Sequence, residues 1–248
     1  MNTIKTKIDQ GFILCAGYGN RMRPLTDNKP KPMVEINRTP MIDHILDNFN
    51  KNGISRIVIN THYKADVIEK HLENNQNPPV IISHELELLH TGGGLKNALH
   101  YFDGKDFFVS SGDSYLENGP AQSPYQRLQD FWNPESMDIL MLLEPVNRMA
   151  ITKGVGDYDL DSDGKAIRSL DQTGKYMFTS LRINSSRIFD GCPETPFNYL
   201  DLMDKAQEQG RLYGLVHDGL WHHISTPEDV KNVTNYLNNL KSKEKQAI

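Results

Sequence analysis

The segment most able to do chemistry is a glycine turn followed by cations. Leu14-Cys15-Ala16-Gly17-Tyr18-Gly19-Asn20-Arg21-Met22-Arg23-Pro24-Leu25-Thr26 leaves an apolar run, and Pro30-Lys31-Pro32 follows. Glycines directly after a buried strand let backbone N–H groups approach phosphate oxygens closely. Arginine forks and a lysine point charge suit the same oxygens. The prolines set Lys31 on stiff backbone. The string is not a dinucleotide fingerprint, because Met22 stands where a third small residue is required. It is not a P-loop either, because no Gly-Lys-Ser/Thr follows. Residues 20–38 carry a net charge of +3 on a chain whose net charge is −5, which points to a small anionic ligand rather than a polyanion. The plain alternative, a surface turn with solvated cations, fits a lone Gly-x-Gly-x-Arg better than it fits this longer string.

Four further constellations carry candidate residues. Gly92-Gly93-Gly94 reads as a tight loop ahead of a short helix. Ser110-Ser111-Gly112-Asp113 closes an apolar strand, and strand C-terminal ends are where ligands sit in open α/β sheets. Asp113 is there either a magnesium ligand or a cap for the next loop. Trp221-His222-His223-Ile224-Ser225-Thr226-Pro227 holds two of three closely spaced histidines, His217 being the third, at a spacing that matches no zinc signature. Gly154-Val155-Gly156-Asp157-Tyr158 is a hairpin entrance or a ligand contact.

The elements that must position these residues follow from hydrophobic period. Gly11–Ala16, 54–60, 80–83, 106–110, 138–144 and 176–183 read as strands. Residues 40–52, 65–72, 95–101, 126–132, 198–209 and 227–240 read as helices, with Gly53 and Gly210 as stops. A hairpin turns at 161–164. Residues 1–10 read as a polar extension. The alternation predicts an α/β fold with a mostly parallel sheet flanked by helices. A single domain over 1–248 is expected, with a β-rich subregion at about 145–185.

Composition narrows the class. The chain has 248 residues, is 38% hydrophobic and 24% charged, and holds two cysteines. These values exclude wholesale disorder, collagen-like repeats and a disulfide framework. No apolar run approaches the roughly 18 residues a spanning helix needs. No membrane, no nucleic acid and a reducing, cytoplasmic home are the expectations.

The string LCAGYGNRMRPLTDNKPKPM resembles the signature of sugar-1-phosphate nucleotidyltransferases, and the likeness covers nearly the whole chain. Within that family the chain is most similar to the short N-acetylmuramate-1-phosphate uridylyltransferases of bacterial cell-wall recycling. RLYGLVHDGLWHHISTPEDV resembles their closing segment. The resemblance implies a Rossmann-like, glycosyltransferase-A type fold. It implies transfer of a nucleotidyl group, from UTP in the nearest relatives, to a sugar 1-phosphate, giving a nucleoside diphosphate sugar and pyrophosphate. It implies Arg21 and Lys31 as catalytic cations, with Ala16, Gly17, Gly19, Asn20, Gly92, Gly93, Gly94 and Ser111 in nucleotide binding. Gly156 and Asp157 are implied at the sugar phosphate, and Asp113 at the metal, Mg2+. The partners implied are a nucleoside triphosphate and a sugar 1-phosphate, for a monomer or small homo-oligomer.

The chain departs from the family at four places, one of them Ser225, which stands where Gly is usual two residues after His223. Ser111 stands where Asn is common. His223 stands where a second metal-binding Asp is usual, which favours Mn2+ or Co2+ over Mg2+ if it is a ligand; a phosphate contact is the alternative. Ser180 stands where Gly is usual. Other donor and acceptor pairs remain open: GTP with mannose 1-phosphate, UTP or dTTP with glucose 1-phosphate, CTP with phosphocholine. So does a non-catalytic sugar-nucleotide sensor whose metal site has decayed.

Overall fold

The computed structural model describes residues 7–73, 79–120 and 122–246. In chain order its elements are β1 (Gln10–Leu14), β2 (Glu35–Ile36), β3 (Thr39–Pro40), α1 (Met41–Lys51), β4 (Arg56–Thr61), α2 (Ala65–Glu73), β5 (Val80–His84), α3 (His90–Asn97), β6 (Phe107–Ser111), β7 (Ser114–Glu117), α4 (Pro124–Phe131), β8 (Ile139–Pro145), β9 (Tyr158–Leu160), β10 (Ala166–Arg168), β11 (Tyr176–Asn184), α5 (Leu200–Glu208), β12 (Leu212–Val216), β13 (Leu220–His223) and α6 (Pro227–Gln246). Of the expected extension, residues 1–6 lie outside the described residues, and Gln10 already belongs to β1.

The main sheet runs β10-β9-β11-β6-β1-β4-β5, with β8 added to β11 and β12 added to β8. β1 pairs in parallel with β4 and β6, as β4 does with β5 and β12 with β8. β11 runs antiparallel to β6 and β8, so the sheet is mixed. The apolar runs make this arrangement necessary. Phe12 and Ile13, neighbours on β1, point to opposite faces, and both are fully buried.

One face is covered by α1, α2 and α4, whose Ile45, Phe49, Ile68 and Leu128 pack on Ile13, Ile59 and Phe108. On the other face, Leu95 of α3, Ala98 at its C-terminal cap, and Leu202 and Met203 of α5 pack on Phe12, Val58 and Val109. A third cluster, Met22, Val34, Ile36, Met41, Ile224 and Val233, fastens α6 to the segment that carries the glycine turn. Thr226 and Asp229 cap α6 reciprocally: Asp229 Oδ2 accepts from Thr226 N at 2.8 Å, and Thr226 Oγ1 accepts from Asp229 N at 3.3 Å. No helix among the described residues is long and apolar enough to cross a membrane.

β7 and β13 form a separate antiparallel ribbon in which His223 pairs with Ser114. Neither strand is evident in the sequence, because each is four residues long and follows directly on a turn. The ribbon sets the histidine segment beside the end of β6.

Candidate active site

β1, β4 and β6 all end at one edge of the sheet, and a cavity of about 380 Å³ opens there, within the range of small-molecule sites. Its walls include Ala16 and Gly17, Lys31, and Ser111 and Asp113. Glycine is required at position 19. Its φ is +63°, and a Cβ there would lie 3.0 Å from Lys31 Cβ and 3.1 Å from Thr26 Cγ2. The turn and the lysine stem therefore pack against each other. At Gly17, by contrast, a Cβ would meet nothing within 4 Å, so its backbone faces open space.

Lys31 Nζ donates to Asp113 Oδ2. Their side chains are 12% and 30% exposed, so the lysine is largely sheltered rather than a free surface cation. Arg21 and Asn20 are both exposed on the helical turn Asn20–Met22, and neither lines the cavity wall. His223 lies among these charges, and its backbone N–H is held by Thr152 Oγ1 at 3.0 Å. Burial pushes its pKa below the ordinary value. Asp113 pulls it up, and Lys31 and Arg21 push it down again. The imidazole is thereby kept neutral near pH 7, the form that ligates a metal. Cys15, also in the wall, is a thiol and not a thiolate, because burial raises its pKa and the Asp113 charge adds to that.

The glycine triplet is placed differently from its sequence reading. Gly92, Gly93 and Gly94 lie inside α3, which begins at His90 rather than after them. They are buried by packing and form no open loop. A Cβ at Gly92 would meet the Phe197 ring at 2.3 Å, and one at Gly94 would meet Glu85 Oε1 at 2.5 Å. The residues that reach the cavity from this side are Leu88, His90 and Thr91. Gly156 and Asp157 also lie outside its wall. Gly156 is fitted against Gly174, and the Asp157 carboxylate accepts from Phe178 N at 3.1 Å.

Asn60, which sequence reasoning missed, organises the floor. Its Oδ1 accepts from Cys15 N at 2.7 Å, and its Nδ2 donates to Glu85 Oε1 at 2.7 Å. Glu85 Oε2 in turn accepts from Leu89 N at 2.9 Å. The glycine turn and the start of α3 are thus tied through one buried pair. The signal was present: Asn60 is the polar residue that ends the apolar run ISRIVIN. Asn198, which lines the cavity beside Thr91, left no such signal.

Behind β13 lies a buried polar cluster. Glu144 is 1% exposed, with Arg148 Nη2 at 3.3 Å from its Oε1, and Arg148 also donates to His217 O. Burial lifts Glu144 to about 7, against the pull of Arg148. Burial lowers His217 to about 4. Between about pH 4.5 and 6.5 the folded state holds a proton on Glu144 that the unfolded state lacks, so this group makes stability fall as pH rises. Over the same window the unfolded state holds a proton on His217 that the folded state lacks, so stability rises with pH. The two slopes oppose each other. Glu144→Gln is therefore expected to unmask the histidine. Its melting temperature, relative to the parent's, should climb by a few degrees from about pH 4.5 to about 6.5. Parallel melting curves across that window would contradict the assignment.

Comparisons with known proteins show the family and the fold. The nucleotidyl transferase family model matches residues 10–168. The chain is 32% identical over 224 residues to N-acetylmuramate alpha-1-phosphate uridylyltransferase of Caulobacter vibrioides, covering 88% of this chain and 92% of that one. It is 28% identical over 246 residues to Bifunctional protein GlmU of Methanococcus vannielii, where it spans 91% of its own length but only 54% of the relative's. Among solved structures, HddC from Yersinia pseudotuberculosis, complexed with GMP-PN, superposes with a TM-score of 0.77 at 24% identity, covering 93% of this chain and all of that one. A glycine turn facing a cavity at the strand ends, a lysine paired to the aspartate that closes β6, and a family match that includes both make this chain an enzyme of the nucleotidyl transferase family.

Proposed function

We propose that the enzyme transfers a uridylyl group from UTP to N-acetylmuramate 1-phosphate, releasing pyrophosphate. The observation that carries this reading is the cavity in which Lys31, Asp113 and the open Gly17 backbone converge. Its substrates are taken from the Caulobacter relative, which this chain matches over nearly its full length.

The sugar phosphate oxygen attacks the α-phosphorus in line, and the pyrophosphate leaves. Catalysis of this kind is positioning and charge stabilisation. The Gly17–Gly19 turn receives the phosphates on its backbone. Arg21, exposed at the turn, folds onto the triphosphate and balances the leaving group. Lys31, held beside Asp113, meets the phosphate oxygens as charge grows. The donor set suits a divalent cation, because one carboxylate, one neutral imidazole and substrate phosphates are enough for a metal that keeps several waters. When bound by Asp113 and His223, such a cation would supply neutralising charge to the phosphates. Localisation in the cytoplasm follows as part of the same proposal.

The test is pyrophosphate release over a panel of triphosphates and sugar 1-phosphates. UTP with N-acetylmuramate 1-phosphate is expected to give the highest kcat/KM. A higher value for the GTP–mannose 1-phosphate or dTTP–glucose 1-phosphate pair would reassign the substrates. Absence of release from every pair would leave a sugar-nucleotide sensor. His223 carries its own expected result. With an imidazole ligand, Mn2+ or Co2+ should outperform Mg2+ at equal concentration, and His223→Asp should shift the preference towards Mg2+. If His223 contacts a phosphate instead, His223→Asp should raise KM and leave metal preference alone.

A further inference from the structure

Ser180, where the family usually has glycine, lies at a distorted point of β11. The pairing of β11 with β8 slips between Phe178 and Arg182, so residues 179–181 bulge from the sheet. Ser180 has φ +69°, a conformation that glycine adopts freely and serine rarely does. Its side chain is engaged. Ser180 Oγ accepts from Ser111 N at 2.7 Å and shares a hydrogen bond of 2.5 Å with Ser111 Oγ. The bulge is also held from behind: Arg182 Nη1 donates to Ser180 O at 3.2 Å, and the Arg182 guanidinium lies 3.9 Å from the Tyr199 ring centroid. Tyr199 directly follows Asn198, which lines the same cavity as Ser111.

This arrangement holds the Ser111 hydroxyl in place. A serine hydroxyl has one proton and two lone pairs, so the bond to Ser180 leaves Ser111 Oγ with capacity for a further partner on the cavity side. We propose that Ser180 is a positioning residue that fixes the Ser111 hydroxyl, and that the pair selects substrates by reading one hydroxyl group. The inference rests on the nucleotidyl-transfer reading of the cavity. The hydroxyl belongs either to the ribose of the triphosphate or to the acceptor sugar, and both present the same chemistry. Keeping a serine in a backbone conformation that glycine would hold with less strain is consistent with a hydroxyl that is used.

The experiment measures binding by calorimetry, so it does not depend on turnover. Parent, Ser180→Ala and Ser180→Gly are titrated with UTP, 2′-deoxy-UTP and 3′-deoxy-UTP. They are then titrated with N-acetylmuramate 1-phosphate and its 4- and 6-deoxy analogues, in the presence of a non-hydrolysable UTP analogue. In the parent, loss of the hydroxyl that is read should weaken binding by about tenfold. In both variants that penalty should shrink to within about threefold, while affinity for the deoxy ligand itself stays unchanged, the signature of a coupled pair. A change in the nucleotide series assigns the ribose, and one in the sugar series assigns the acceptor. Ser180→Gly relieves the backbone and should melt no lower than the parent, so its loss of discrimination cannot be unfolding. A full penalty retained in both variants for every deoxy ligand would overturn the proposal, as would a parent that shows no penalty at all. Coupling seen in an enzyme that turns over none of the sugar phosphates would sink the proposed reaction and leave this inference standing.

Discussion

Lys31→Ala is expected to lose at least about a hundredfold in kcat, the usual size of one preorganised charge contact, worth about 2.7 kcal/mol. The reason is geometric. Gly19 packs against the lysine stem, and Asp113 holds the ammonium at the cavity wall, so the charge is in place before substrate arrives. The melting temperature should move by no more than about 3 °C, because Asp113, 30% exposed, regains water when its partner is removed. Steady-state pyrophosphate release and a thermal melt measure both quantities. Activity within a few-fold of the parent would remove Lys31 from the phosphate site.

Asp113→Asn should do equal or greater damage by a separate route. The substitution keeps the side chain's shape and removes the charge that attracts a divalent cation, so turnover should fall by at least about a hundredfold. Excess metal should recover little. Nucleotide binding without metal should respond in the opposite sense. Removing a carboxylate frees Lys31 and takes negative charge out of a cavity built for phosphates, so affinity should hold or rise. Titrating the triphosphate with and without Mg2+ separates the two effects. Normal metal stimulation in the variant would leave Asp113 a loop cap.

The parts of the fold that the sequence made legible were those with long apolar runs. GFIL, RIVINT and ILMLLE are strands because nearly every residue in them is buried, and burial on two faces leaves a readable run. The catalytic candidates on the turn after β1 and at the end of β6 were legible for the same reason, since each adjoins such a run. The β9–β10 hairpin was legible from its turn at 161–164, but three other short strands were not. β7, β12 and β13 have four or five residues, and in β13 His222 bonds Glu117 while His223 lies near the charge of Asp113. The glycine triplet misled because glycine ordinarily disfavours helix. Here contact with Phe197 and Glu85 outweighs that cost, since any larger residue would collide. Asn198 was invisible because its place depends on how the segment before α5 closes over α3, with Thr91 Oγ1 accepting from Tyr199 N at 3.0 Å.

The β7–β13 ribbon has a consequence for biosynthesis. His223 reaches Asp113 only by pairing with Ser114, more than a hundred residues earlier in the chain. As the polypeptide leaves the ribosome, β1, β4, β5 and β6 can associate while the histidine strand has yet to be made. The nascent enzyme therefore has its phosphate turn and lysine before it has its second candidate metal ligand. Chains shortened before residue 220 lack that ligand and the α6 clamp on the glycine-turn segment, so nucleotide affinity and metal response are both expected to fall. In the proposed reaction, competence is expected only once β13 and α6 have been made.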